Sequence, residues 1–372
     1  MSHSIQNLGT AIIELKSHDF TDKIAGLNVL DRLIITFNRS GFSRIILVAP
    51  SKQLLPRTTA MNITVEHLTQ FPVECEQAVV AAANLLAMPE DIRHVQECSG
   101  RLATQDGKKL PLGAVTRPSN DWQKALDRCP DVIANGPAEC LVDAESTRHA
   151  ERLYWASLTS SSDGLVDRHF NRPAGRILSR MLVDTEITPN QVSVIAVFIG
   201  LISAVLFGVG TPMTALAGAL CLQLSAIVDC VDGDLARALF KQSSLGKWLD
   251  IVGDQVVHIG VFLGLGIGLA RSGSAAPVVF LGMVAAAGVV LSFIVILQTL
   301  LHPSLRGQNR VQKLVDATTN RDFSVLLILF ALFGVLDWFL WMAAIGSHVF
   351  WMLALTLQIL ERRKLQRHDA IH

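Results

Sequence analysis

Four aspartates define the chemistry to look for. Asp229, Asp232, Asp250 and Asp254 fall within VDCVDGDLARALFKQSSLGKWLDIVGDQ (228–255), at the borders of two strongly apolar runs. On a helix, Asp229 and Asp232 share a face, and so do Asp250 and Asp254. Asp234 lies well round the helix from Asp229 and stays outside that set. A lone aspartate centred in a membrane span costs about 2.5–3.5 kcal/mol on insertion scales, less near the interface, and convergent carboxylates also repel one another. The nearby cations Arg237, Lys241 and Lys247 sit on the connecting segment. Divalent cations resolve the conflict better than side chains, because two of them match four negative charges. An all-oxygen ligand set favours the hard ions Mg2+ or Mn2+. Two such ions about 3.5–4 Å apart suit displacement at phosphorus, where they stabilise attacking and leaving oxygens. Gly233 and Gly246 let a phosphorylated ligand approach the backbone, Ala236 keeps one helix face shallow, and Arg237 can clamp a phosphate in bidentate fashion. Interfacial acids paired with lysine and arginine would explain any single one of these aspartates. They do not explain four in ordered spacing with two glycines and an arginine.

The elements that must position these residues are apolar. Half of the 372 residues are hydrophobic and the formal net charge is zero, with a mean hydropathy of +0.40. Residues 1–160 mix charge and apolar side chains as a soluble domain does, whereas 161–372 carry long uncharged runs. Six stretches approach the roughly 20 residues that a span needs: 191–210, 212–231, 251–270, 276–301, 323–342 and 344–360. The turns near 210, 272 and 343 hold one basic residue, Arg271. Arg168, Arg172, Arg176 and Arg180 precede the first span, Arg306, Arg310, Lys313 and Arg321 fill 302–322, and Arg362, Arg363, Lys364 and Arg367 follow the last. This bias makes that side cytoplasmic and puts both termini inside a multi-pass protein of the cell (inner) membrane. Residues 167–184, DRHFNRPAGRILSRMLVD, alternate Phe170, Ile177, Leu178, Met181 and Leu182 with arginines and read as a helix in the membrane interface. In ITPN (187–190), Thr188 reads as a helix cap and Pro189 as the first turn.

The N-terminal part alternates strand-like TAIIEL (10–15), SRIILVAP (43–50) and MNITVEHL (61–68) with helix-like GLNVLDRLIITFNRSG (26–41) and CEQAVVAAANLLAM (75–88). That order predicts an α/β layer with a largely parallel sheet. Polar residues 100–125 read as loop. The N-terminus lacks the basic start and apolar core of a secretory leader. Cys75, Cys98, Cys129, Cys140, Cys221 and Cys230 show no CxxC spacing, which suggests a reduced N-domain without zinc or disulfides. The neutral balance gives no footprint for nucleic acid.

The pattern Asp229-x2-Asp232-Gly233-x2-Ala236-Arg237-x8-Gly246-x3-Asp250-x3-Asp254 resembles, at every specified position, the signature of the CDP-alcohol phosphotransferases (CDP-alcohol phosphatidyltransferases). The resemblance covers roughly residues 163–365. It implies phosphotransfer from a CDP-alcohol to an acceptor hydroxyl with release of CMP, in phospholipid synthesis, with at least one partner a lipid, in a protein that dimerises through its membrane helices. By that resemblance Asp229 and Asp250 bridge both metals, Asp232 completes one shell, and Asp254 is the general base while touching the second metal. Gly233, Ala236, Arg237 and Gly246 line the CDP pocket, with Pro189 and Asn190 touching it. Glycerol phosphate, inositol phosphate, serine and a lipid all remain open as acceptors.

A second resemblance, in KIAGLNVLDRLIITFNRSGFSRIILVAP (23–50), is to the sugar-phosphate nucleotidyltransferases, a domain of which kind some enzymes, notably in inositol-phosphate metabolism, fuse to a membrane phosphotransferase. The sequence departs from that family after TAIIEL, where KSHDF replaces the glycine-rich, arginine-containing loop that cradles a nucleoside triphosphate. The N-domain, with Lys23 as an exposed surface lysine, is therefore expected to be inactive. The alternatives are a bifunctional cytidylyltransferase/phosphotransferase and, in another class, a cation transporter that uses membrane acids as a path. His258 is expected to pack between spans and Trp248 to anchor at the interface.

Overall fold

The computed structural model describes residues 9–16, 22–158, 164, 166–301 and 323–369. Residues 17–20 of the KSHDF stretch and the basic segment 302–322 lie outside the described residues. The chain divides between Leu158 and Thr159 into two compact units.

The first unit runs β1 (Thr10–Glu14), β2 (Lys23–Ile24), β3 (Leu27–Asn28), α1 (Val29–Ser40), β4 (Arg44–Val48), α2 (Pro56–Ala60), β5 (Glu66–Leu68) and β6 (Gln77–Ala82). It continues through β7 (Leu85–Leu86), α3 (Pro89–Cys98), β8 (Arg101–Ala103), β9 (Lys109–Thr116), α4 (Trp122–Leu126), β10 (Asp131–Ile133), β11 (Glu139–Cys140) and α5 (Ala144–Ser157). Seven strands form one sheet in the order β10-β8-β9-β6-β1-β4-β5. Strand β1 pairs in parallel with both β4 and β6, and β9 is antiparallel to both of its neighbours. The predicted helix 26–41 forms as α1. Its N-terminus is capped by Asn28, whose side chain accepts from Leu30 N at 2.8 Å, and Gly41 ends it at φ +103°.

Two expectations fail here. CEQAVVAAANLLAM is not helical: Gln77–Ala82 is a strand beside β1, with its central residues fully buried. Buried on both faces, it shows no alternation, and tertiary pairing overrides the helix preference of its alanines. Residues 100–125 are not a loop but hold β8, β9 and α4. Gly113 sits in β9 because a Cβ there would meet Gly100 O at 2.9 Å. Of MNITVEHL, only Glu66–Leu68 is strand.

The second unit opens with a π-helical turn (Asp167–Asn171) that leads into α6 (Arg172–Leu182). Phe170, Ile177 and Met181 are exposed, so the predicted interfacial helix leaves its apolar face uncovered. Then follow α7 (Pro189–Val209), α8 (Pro212–Ala238), α9 (Ser244–Arg271), α10 (Val278–Leu301), α11 (Phe323–Leu332) and α12 (Leu336–Asp369). Among the described residues, five helices are long and apolar enough to cross a membrane, and α11 is a shorter apolar helix. The expected turn near 343 is absent. The chain breaks instead at Gly334, whose φ of +69° allows the left-handed cap in which Val335 N donates to Phe330 O at 3.0 Å.

Helix α7 is the spine of this unit and packs along both α8 and α9. Glycines set how closely: a Cβ on Gly264 would run into the carbonyl oxygen of Ala204, and one on Gly268 into that of Phe207. Without a hydrophobic driving force in lipid, such close approach supplies the packing. Gly268→Ala therefore forces α7 and α9 apart, at a cost on the order of 1–3 kcal/mol. The thermal unfolding midpoint of the detergent-solubilised protein should fall by several degrees, and an unchanged midpoint contradicts this packing.

Candidate active site

The start of α7 is set by local chemistry. Thr188 N donates to Gln191 Oε1 at 2.9 Å and Gln191 N to Thr188 Oγ1 at 3.3 Å, a reciprocal cap with Pro189 in the first turn. Asn190 and Ser193 follow on one face. At the start of α9, Ser243 Oγ accepts from Gly246 N at 3.0 Å. A Cβ on Gly246 would lie 2.8 Å from Asn190 Oδ1 and 3.1 Å from Ser243 Oγ. Glycine is what lets the first turns of α7 and α9 meet.

The acids of α8 and α9 do converge. Carboxylate oxygens of Asp229, Asp250 and Asp254 lie within 4.8 Å of one another, each residue half-buried. Three carboxylates at that separation repel strongly at reduced dielectric, and their donor set suits a hard divalent cation. Asp232 is not in this group. It is nearly buried and accepts a hydrogen bond from Ser193 Oγ.

Beside the acids opens a cavity of about 570 Å³, walled by Pro189, Asn190, Ser193, Asp232, Gly233, Ala236, Arg237, Lys241, Gln242, Ser243, Ser244, Gly246, Lys247 and Asp250. It gathers every residue read as nucleotide-binding, while Asp250 belongs to both the cavity wall and the acidic group. A Cβ on Gly233 would lie 3.3 Å from the Arg237 guanidinium, so the missing side chain lets that group lie across the helix. Arg237, Lys241 and Lys247 make this wall positive opposite the acids, an arrangement that suits a phosphorylated ligand bridging the two.

Two features escaped the sequence reading. Ser193 lines the cavity and holds Asp232, and its place one turn after Asn190 was the available signal. Asp234, set aside because it faces away from Asp229, is completely buried. Its Oδ1 accepts from Arg237 Nη2 at 2.8 Å and from Arg172 Nη1 at 3.0 Å. It thereby fixes the cavity arginine and ties α6 to α8. His258 packs edge-on against Phe323, ring centroids 5.1 Å apart, and is not one of the grouped acids' partners within 4.8 Å.

Residues 186–350 match the family model described as CDP-alcohol phosphatidyltransferase. That match falls wholly within the membrane unit and takes in every residue from Asp229 to Asp254. Two curated relatives carry the description "Bifunctional IPC transferase and DIPP synthase". That of Thermococcus kodakarensis is 41% identical over 122 residues, 32% of this chain and 27% of the relative. That of Archaeoglobus fulgidus is 30% identical over 155 residues, 41% of this chain and 29% of the relative. The chain thus spans less than a third of the length of the curated relatives it matches. Among solved structures, the phosphatidylinositol phosphate synthase of Mycobacterium tuberculosis with CDP-DAG bound shows 18% identity and a TM-score of 0.37, covering 50% of this chain and 92% of that one.

The buried Asp234 anchor has a direct test. Asp234→Ala leaves two guanidinium groups beside α8 without their shared carboxylate, at a cost on the order of 3 kcal/mol. A clear drop in the thermal unfolding midpoint is expected, and wild-type stability would show that the anchor carries no weight.

Proposed function

We propose that the membrane unit transfers a phospho-alcohol from a CDP-alcohol to an acceptor hydroxyl, releasing CMP, in phospholipid synthesis. The observation that carries this is the meeting of Asp229, Asp250 and Asp254 at the edge of a cavity walled by the signature residues. Asp229, Asp250 and Asp254 would hold divalent ions, Mg2+ or Mn2+ and two in number, with Asp232 reaching them from the cavity wall. Such ions, when bound, ease deprotonation of a nearby hydroxyl and offset the charge of the leaving nucleotide. Asp254 takes the proton of the acceptor hydroxyl as general base. Arg237, Lys241 and Lys247 hold the phosphates, and Gly233, Ala236 and Gly246 leave room for them. Pro189 and Asn190 border the nucleotide end. Acids gathered at one place, in a chain that matches this family, favour transfer over cation transport.

The bifunctional name of the curated relatives raises a second reading, in which the first unit makes the CDP-alcohol. In open α/β sheets a ligand binds beyond the carboxyl ends of the strands where their order reverses, here between β1 and β6. At that end of β1, Glu14 accepts from Trp122 Nε1 at 2.8 Å and meets Lys16 Nζ at 3.4 Å. With side chains engaged there and the glycine-rich loop missing from the sequence, we favour a non-catalytic first unit. The basic segments that flank the spans support an orientation in the cell membrane with both termini cytoplasmic.

CMP release by the purified full chain, supplied with Mg2+ and panels of CDP-alcohols and acceptors, tests the main reading. Asp254→Asn should slow it about 10²–10⁴-fold, whereas wild-type CMP release from this variant refutes the assigned base. Chelation by EDTA should abolish release and added Mn2+ or Mg2+ restore it. Pyrophosphate release from CTP and a phosphorylated polyol, insensitive to Asp254→Asn, would establish the bifunctional reading instead.

A further inference from the structure

Helix α6 presents three arginines in a stripe, Arg172, Arg176 and Arg180, spaced four residues apart and so on one side. Ile177 and Met181 lie on the adjoining face and are exposed. Gly175 seats α6 on α8: a Cβ there would touch Ile227 O at 3.0 Å and Cys230 Cβ at 3.2 Å. This seating brings Arg172 and Arg176 to Asp234, while Arg180 is exposed. Arg172 pairs with Asp234 Oδ1 at 3.0 Å, and Arg237 reaches the same oxygen from α8 at 2.8 Å.

Arg176 is different. Its Nε and Nη2 are buried and have no hydrogen-bond partner among the described residues. Burial pulls its guanidinium below the ordinary range, Asp234 acts against that pull, and Arg172, Arg180 and Arg237 add to it. Nε and Nη2 form the edge of a guanidinium that binds an oxyanion in bidentate fashion. Arg44 uses that edge on the Glu66 carboxylate, with Nε at 3.0 Å and Nη2 at 2.9 Å. In Arg176 the same edge is buried without a partner, and so is the neighbouring Asp234 Oδ2, which does not reach it. Buried donors are seldom left so, because each forfeits its hydrogen bonds to water. Arg172, Arg176 and Arg237 set against Asp234 also leave an excess of two positive charges, which a phosphate matches in charge and in geometry.

We propose that Arg176, with Arg172 beside it at Asp234, forms a subsite for a phosphate group distinct from the centre built by Asp229, Asp250 and Asp254 and from the cavity that Arg237 lines. Because α6 carries an exposed apolar face, the subsite lies level with the membrane interface, where the phosphate comes from a lipid headgroup or from a soluble phosphorylated substrate. The subsite stands on its own geometry and does not require the catalytic reading to hold.

Thermal unfolding of the full chain in maltoside micelles, which contain no phosphate, tests this with inorganic phosphate as the probe and EDTA present to remove metals. Phosphate should raise the midpoint of the wild type. Arg176→Gln should need about tenfold more phosphate or worse for the same shift, the loss expected for a charge-assisted bidentate contact. Arg176→Lys, which keeps the charge without the fork, should fall between the two. Stabilisation of Arg176→Gln by CMP with Mg2+ reports that the variant is folded. Adding phosphatidylglycerol to the micelles separates the two sources. If the wild type then gains stability over Arg176→Gln and no longer responds to inorganic phosphate, a lipid headgroup is the occupant. If the response persists, the occupant is soluble. An equal phosphate response in wild type and Arg176→Gln, or no response in the wild type, overturns the proposal and leaves Arg176 closing on Asp234 Oδ2.

Discussion

Like charges held close together in a poorly screened environment demand compensation, and the membrane unit is organised around that demand. Asp229, Asp250 and Asp254 come from two helices whose bodies are apolar, yet their oxygens lie within 4.8 Å of one another. Three carboxylates at that separation repel one another, a cost that a bound cation would relieve. On the proposed function the cluster is half of a site whose other half would be a divalent cation and the phosphates that the cation binds. The basic wall of the adjoining cavity would then answer the charge of those phosphates.

The surrounding structure serves to keep that cluster in place. Helix α7 packs along both α8 and α9, and glycines at its contacts allow the backbones to approach as closely as they do. The capped start of α7 and the glycine at the start of α9 close one end of the cavity. Asp234 does the same work on the far side of α8, where it holds Arg237 and draws in α6. Ser203 and Ser225 add buried hydrogen bonds to backbone carbonyls of neighbouring helices. In an apolar environment such bonds specify which helix faces meet.

What could be read from the chain alone was local or strictly spaced. Thr188-Pro189 announces a helix start because a cap and its first turn are neighbours in sequence. The spacing from Asp229 to Asp254 announces a site because helical periodicity puts acids and glycines on shared faces. Tertiary consequences were hidden. QAVVAA reads as helix, since a strand covered on both faces carries no alternation. KLPLGAVT reads as loop, since its glycine is there for the close approach of another strand. Asp234 points away from the acids; its pairing with Arg237 is local to one turn of α8, but only the position of α6 reveals that it also holds Arg172. The turn between α11 and α12 falls at Gly334, where the backbone needs a left-handed residue, and the alanine-rich run near 343 stays helical.

The most direct test of the shared cation centre is a titration of the purified, metal-free full chain with Mn2+, followed by electron paramagnetic resonance. Two bound ions per chain, close enough to couple magnetically and both weakened by Asp250→Ala, are what the account predicts. Wild-type protein that binds Mn2+ no better than a variant lacking Asp229, Asp250 and Asp254 would contradict it.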